Sequence, residues 1–190
     1  APASERSYEV APTPTPVPSP GVALEAAAEE MSALKSLSFA LTSEPEGAAL
    51  APGLAGSKIE GVVALGEGAS VEVAGQRVPT ASVPMNLVDL GAAVGEVVRA
   101  LQDPADAASV WIDNKPHRGL SGTVAGQSLS GLFPTVTAEA VMGVTVWLGD
   151  DGLVRRVHVE GVAGAGAPAE IVWVLDLGDF DKRVTIEPLP

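Results

Sequence analysis

The sequence predicts an α+β domain in which an antiparallel sheet carries helices on a single face. Most of the chain after residue 36 alternates apolar and polar side chains with period two, and only two stretches repeat at three and four residues. A third observation is the segment Ile171-Val172-Trp173-Val174-Leu175, apolar on both faces, which predicts cover on each side of that strand. With 190 residues, 46% of them hydrophobic, the chain can bury one ordinary core. We assign residues 1–20 to a Pro/Thr-rich flexible linker and residues 21–190 to a single domain.

The linker holds six of the sixteen prolines, and Pro12-Thr13-Pro14-Thr15-Pro16 favours extended polyproline II. It reads as a disordered tail or as a tether to a membrane anchor; a PxxP ligand is disfavoured because no Lys or Arg flanks the run closely. Leu24, Ala27, Ala28, Met31 and Leu34 then repeat with helical spacing over 22–35, with Glu25, Glu29 and Glu30 opposite. Directly behind, Leu37, Phe39 and Leu41 alternate with small polar residues as a strand. Glycine and proline punctuate 44–56, and strands are predicted over 58–65 and 70–78. A second helix is predicted over 86–102, from Leu87, Leu90, Val94, Val97, Val98 and Leu101. Gly91 and Gly95 lie four apart within it and serve either close packing on a neighbouring backbone or room for a bound apolar ligand. Further strands are predicted over 109–112, 119–124, 141–148, 154–162, 170–177 and 183–186, with a helical turn at 129–133. Asp150-Asp151-Gly152 supplies the turn of the clearest hairpin, whose Arg156, His158 and Glu160 should face water.

Composition narrows function mainly by exclusion. Eleven Lys and Arg against 24 Asp and Glu leave a formal charge of −13, which repels nucleic acid and anionic membrane surfaces, so no nucleic-acid partner is expected. No apolar run approaches the roughly 20 residues that span a bilayer. Without cysteine there is no thiolate metal site and no thiol nucleophile. Gly126-Gln127-Ser128-Leu129-Ser130-Gly131 misses the serine-hydrolase elbow by one position. His117 and His158 are too far apart for a local metal motif and read as surface strand or turn residues. Asp176, Asp179 and Asp181 lack the glycine and terminal glutamate of a calcium loop and read as a solvated turn. Paired carboxylates for glycoside hydrolysis would want sugar-stacking aromatics, and the chain has only three Trp, three Phe and one Tyr. No catalytic residue, metal or cofactor is therefore assigned.

Several segments in order resemble the LppX/LprAFG lipoprotein family. They are the helix-to-strand entry Met31 to Thr42, the helix from Asn86 to Leu101, and Leu120-Ser121-Gly122-Thr123-Val124. Val144-Thr145-Val146-Trp147-Leu148, the run Asp151 to Val157 and the run Asp176 to Pro188 are similar to that family's closing strands. The resemblance implies a half-open antiparallel β-barrel, a curved sheet with helices on its concave face, related in fold to the LolA/LolB-type periplasmic lipoprotein carriers. It also implies an apolar cavity for lipid or glycolipid acyl chains, attachment to the outer face of the cytoplasmic membrane through a lipidated cysteine ahead of the linker, and an envelope transporter as partner. One departure is the short stretch 72–80, where the family commonly carries a longer hairpin with Tyr and Trp.

These expectations define an extracytoplasmic, non-enzymatic lipid-binding or carrier lipoprotein. The alternative is a cell-envelope interaction or structural module whose core is filled by its own side chains. Lining the cavity we expect Leu87, Leu90, Gly91, Val94 and Val98 from the helix side, and Phe39, Leu41, Val63, Val146 and Trp173 from the sheet side. Strand parity decides the second group, since a slip of one residue exchanges the faces.

Overall fold

The computed structural model describes residues 16–44, 58–83, 85–163 and 170–186. The proline run up to residue 15, the punctuated stretch 45–57 and residues 164–169 and 187–190 lie outside them. Helix α1 spans Pro20–Ala33, two residues earlier than the apolar spacing suggests, because Pro20 sits at the first helical position, where its fixed φ favours the start and its missing N–H costs nothing. The folded chain thus begins inside the segment read as linker. Leu34 turns to extended backbone, and strand β1 (Ser36–Glu44) follows at once.

Strands β2 (Ile59–Ala64), β3 (Gly68–Val73) and β4 (Gln76–Val78) continue as an antiparallel meander. A single strand was expected over 70–78; Ala74 and Gly75, at φ 50° and 77°, instead fold it into a tight hairpin of the left-handed kind that matches strand twist. A 3₁₀ turn at Thr80–Ser82 leads to helix α2, Leu90–Arg99, shorter than the expected 86–102. Leu87 keeps the helical spacing and is buried, yet it belongs to the turn before the helix, where the Leu90 amide reaches the Leu87 carbonyl.

Strand β5 (Gln102–Ile112) starts where α2 stops and is much longer than the expected 109–112. Its Asp103, Pro104 and run of alanines are poor strand formers, but the strand is an edge with one partner, so the missing Pro104 donor is tolerated. It pairs through two register shifts with β6 (Lys115–Ala125) across Asp113-Asn114, both at positive φ. A short helix α3 (Gly126–Leu129) and its following turn occupy the place of the expected helical turn. Then come β7 (Val141–Leu148), β8 (Val154–Gly161) and β9 (Ile171–Gly178). Residues 183–186 form no strand, although Ile186 lies 3.9 Å from where a Cβ on Gly68 would be.

All nine strands form one antiparallel open sheet in the order β4-β3-β2-β1-β9-β8-β7-β6-β5. The chain must therefore pass from β4 at one edge to β5 at the other, and α2 lies in that crossing, which brings it over the sheet. One face of the sheet is buried: Leu37, Phe39 and Leu41 of β1 share it with Trp173, Leu175 and Leu177 of β9. Cover on both sides of β9 is not found. Val172 and Val174 are only half-buried, since on the other face β-branched side chains serve the central strand as strand formers with no described element above them.

Candidate functional site

Helices α1 and α2 lie antiparallel and pack on each other more extensively than on any strand. Glycine makes this possible. A Cβ on Gly91 would stand 2.5 Å from the Met31 carbonyl oxygen, and one on Gly95 would stand 2.9 Å from that of Ala28. Both glycines therefore serve backbone contact between helices. Gly91 faces α1 and Leu65, and so stands apart from the other nine residues expected around a cavity.

Those nine meet in one buried cluster. Val94 and Val98 project from α2, Leu90 from its first turn and Leu87 from the turn before it; Phe39, Leu41, Val63, Val146 and Trp173 come from the buried face of the sheet. Their parity is fixed by register: Leu37 opposes Val63, Leu41 opposes Leu175, and Val146 stands between Leu120 and Val157. None of the nine is more than 4% exposed, so in this conformation their own side chains and neighbours fill the layer. Among the described residues the only buried polar side chains are Ser36 and His117, both hydrogen-bonded to backbone carbonyls. His117 is thus a buried strand residue, contrary to its sequence reading; by register it lies on the same face of the sheet as His158, which is half-buried and edge-on to Trp147.

Trp173 is the chemically distinctive member. Its ring stacks on Phe133 with centroids 4.6 Å apart, and its indole N–H is buried without a partner among the described residues. Phe133 belongs to a wall that the sequence reading missed: Leu129, the last residue of α3, and Leu132, Phe133 and Val136 beyond it are all buried. Their spacing of three, four and seven residues is the signal that could have found them.

Three clefts elsewhere are lined by described residues. One of about 670 Å³ lies over the exposed face, between Ser38, Glu60, Ser70, Arg156 and Asp176. A second, about 310 Å³, lies at the β5–β6 and β7–β8 turns, and a third lies beside Glu96 and Arg99. Of the ten expected lining residues only Phe39 touches any of them. Several charged groups there are paired: Arg156 with Asp176 at 2.5 Å, and Arg155 with Asp151, the Arg155 guanidinium also covering the Phe180 ring. Asp181 accepts the Lys35 amide at 2.7 Å. Lys182 donates to Asp179, which with the Ser38 hydroxyl holds that carboxyl below its ordinary value.

A buried apolar layer between an open antiparallel sheet and a helix pair defines the architecture of this chain, and comparison with known proteins gives it a family. The LppX_LprAFG lipoprotein model matches residues 22–186, and the chain belongs to that family. It is similar in structure to LprF from Mycobacterium bovis, with a TM-score of 0.64 and 15% identity over 92% of this chain and 99% of that one. It is also similar to the lipoprotein LppX from Mycobacterium tuberculosis, with a TM-score of 0.57 and 14% identity over 88% and 98%. No curated protein matches the chain. At these identities the solved structures establish the fold. The family's members are lipid-binding lipoproteins, generally non-catalytic, and membership implies extracytoplasmic membrane anchoring.

Proposed function

We propose that this protein holds the acyl chains of a lipid or glycolipid between its helix pair and the buried face of its sheet, as a carrier or binding lipoprotein outside the cytoplasmic membrane. The observation that carries this reading is the makeup of the layer, in which Phe39, Leu41, Val63, Leu87, Leu90, Val94, Val98, Val146 and Trp173 meet in one cluster. No charged side chain of the described residues is buried among them. Each CH₂ removed from water gains about 0.8 kcal/mol, so burial of about ten methylenes outweighs any single polar contact. Because the layer is filled in this conformation, an acyl chain enters only as the helices separate from the sheet. Transfer to or from an envelope transporter would use the same opening.

The same filled layer favours a second reading, a cell-envelope interaction module with a closed core. Native mass spectrometry of protein purified without detergent separates the two. A carrier retains acyl-chain adducts, and Val94→Trp, which adds bulk inside the layer, lowers uptake of a fluorescent fatty acyl probe; Glu96→Gln, on the exposed side of α2, leaves uptake unchanged. If Val94→Trp melts as the parent does and takes up probe equally well, the chains do not lie under this helix. Absence of adducts together with absence of uptake by the parent selects the closed core.

A further inference from the structure

Trp111 is 74% exposed near the tip of the β5–β6 hairpin, in a chain whose other described tryptophans are buried or half-buried. Its cross-strand partner is Pro116. Two residues along β6, about 7 Å at strand rise, Arg118 donates from Nη1 to the Pro18 carbonyl at 2.9 Å and is itself held by Asp106. Strand alternation puts Pro116 and Arg118 on one face, and Trp111, opposite Pro116, shares it. The point where the N-terminal segment leaves the domain and the exposed indole therefore occupy one corner. Val17, 74% exposed, directly precedes the held Pro18, and Val22, 61% exposed, lies in the first turn of α1.

We propose that this corner is the surface the protein rests on the bilayer that anchors it, with Trp111 at headgroup depth and Val17 and Val22 beside it. The proposal rests on the membrane anchoring that family membership implies, not on where lipid cargo sits. Two features select a bilayer as occupant. The N-terminal segment leaves the domain here, so this corner is the part of the domain nearest an N-terminal anchor. An indole pairs an apolar body with one polar N–H, the combination that settles at a membrane interface. The hairpin from Gln102 to Ala125 carries three aspartates against Lys115 and Arg118, and its tip lies beside Asp150 and Asp151, so the surface stays acidic here and the bilayer it meets is zwitterionic, not anionic. One indole and two valines bind a free bilayer weakly, but attachment through the N-terminal segment raises the local concentration towards roughly millimolar, where a weak contact suffices.

The chain has no cysteine, so Ala1→Cys allows coupling of the full-length protein to a maleimide lipid at one point. On phosphatidylcholine vesicles with brominated acyl chains, the emission assigned to Trp111 by difference from Trp111→Phe is expected to fall by about half relative to plain vesicles. Val17→Ser with Val22→Ser should weaken that quenching. Since Trp111 is exposed, Trp111→Phe should melt as the parent does, and circular dichroism checks this. Equal quenching of the parent and Trp111→Phe overturns the proposal. So does a Trp111-dependent dimer in sedimentation of the untethered protein with no quenching on vesicles, which would make a second copy the occupant.

Discussion

At the scale of the residue, the most consequential positions are those where a side chain is missing. Gly91 and Gly95 let the α2 backbone approach the carbonyls of Met31 and Ala28, and a carbonyl cannot move aside as a flexible side chain can. Gly91→Leu should therefore destabilise the fold by about 1–3 kcal/mol or more through overpacking. Ala92→Leu, one position on and exposed, should stay within about 0.5 kcal/mol of the parent. Urea denaturation midpoints of the two variants test the contrast. Asp179 gives a second prediction. Hydrogen bonds from Lys182 and Ser38 and the Lys182 charge lower its pKa, so the ionised form is favoured in the folded state. The resulting stabilisation is present above the ordinary carboxylate value of 3.8 and is lost as pH falls through the lowered folded value. Asp179→Asn keeps a residue that tolerates its φ of 49° and should remove that pH dependence, at a cost below about 1 kcal/mol because the pair is exposed. Carboxyl NMR titration of Asp179 in the parent should give a value under 3.8.

At the scale of the element, what could be read in advance depended on how much local pattern each segment carries. The β7–β8 hairpin was legible because alternating valines flank Asp150-Asp151-Gly152, and β7 occupies the expected residues, 141–148. Strand β5 was not, because an edge strand with Asp103, Pro104 and four alanine or serine residues has no alternation to read; its pairing is imposed by β6. Helix α2 was overextended at its start because Leu87 is buried with the helical residues although its backbone is a turn, and periodicity detects burial, not backbone. The apolar set between helices and sheet was legible through strand parity at Phe39, Leu41, Val63, Val146 and Trp173. Gly91 was ambiguous, since a glycine on an apolar stripe carries no sign of whether its space is taken by a helix or by a ligand. The Phe133 wall escaped because most of its residues lie outside regular structure, in the turns after α3.

At the scale of the whole molecule, the connections dictate how an acyl chain could enter a filled layer. The helix pair is antiparallel: Met31 meets Gly91, Ala28 meets Gly95, and Glu25 reaches Arg99 at 3.3 Å. One end of the pair is pinned to the β2–β3 turn, where the Leu65 amide bonds to the Lys35 carbonyl at 2.9 Å and the Gly66 amide to the Val88 carbonyl at 3.1 Å. The far end is held by the bond from Arg118 to Pro18, at the surface, and by Ala100 and Leu101, which join Arg99 to the edge strand β5. Backbone contact at the two glycines prevents α2 from moving without α1, so the pair should lift as one body, hinged beside Leu65 and Gly66 and opening towards Glu25 and Arg99, where the start of β5, irregularly paired between Gln102 and Ala105, must yield with it. Amide exchange measured with and without a fatty acyl probe tests this. Exchange should change in both helices together, most near Glu25 and Arg99 and least near Lys35 and Val88. The strands β1, β9 and β8, central in the sheet and paired on both sides, should be unaffected. A change confined to α2, or one greatest beside Gly66, would mean that the helices move separately or hinge at the other end, and the route of entry would have to be sought along a sheet edge instead.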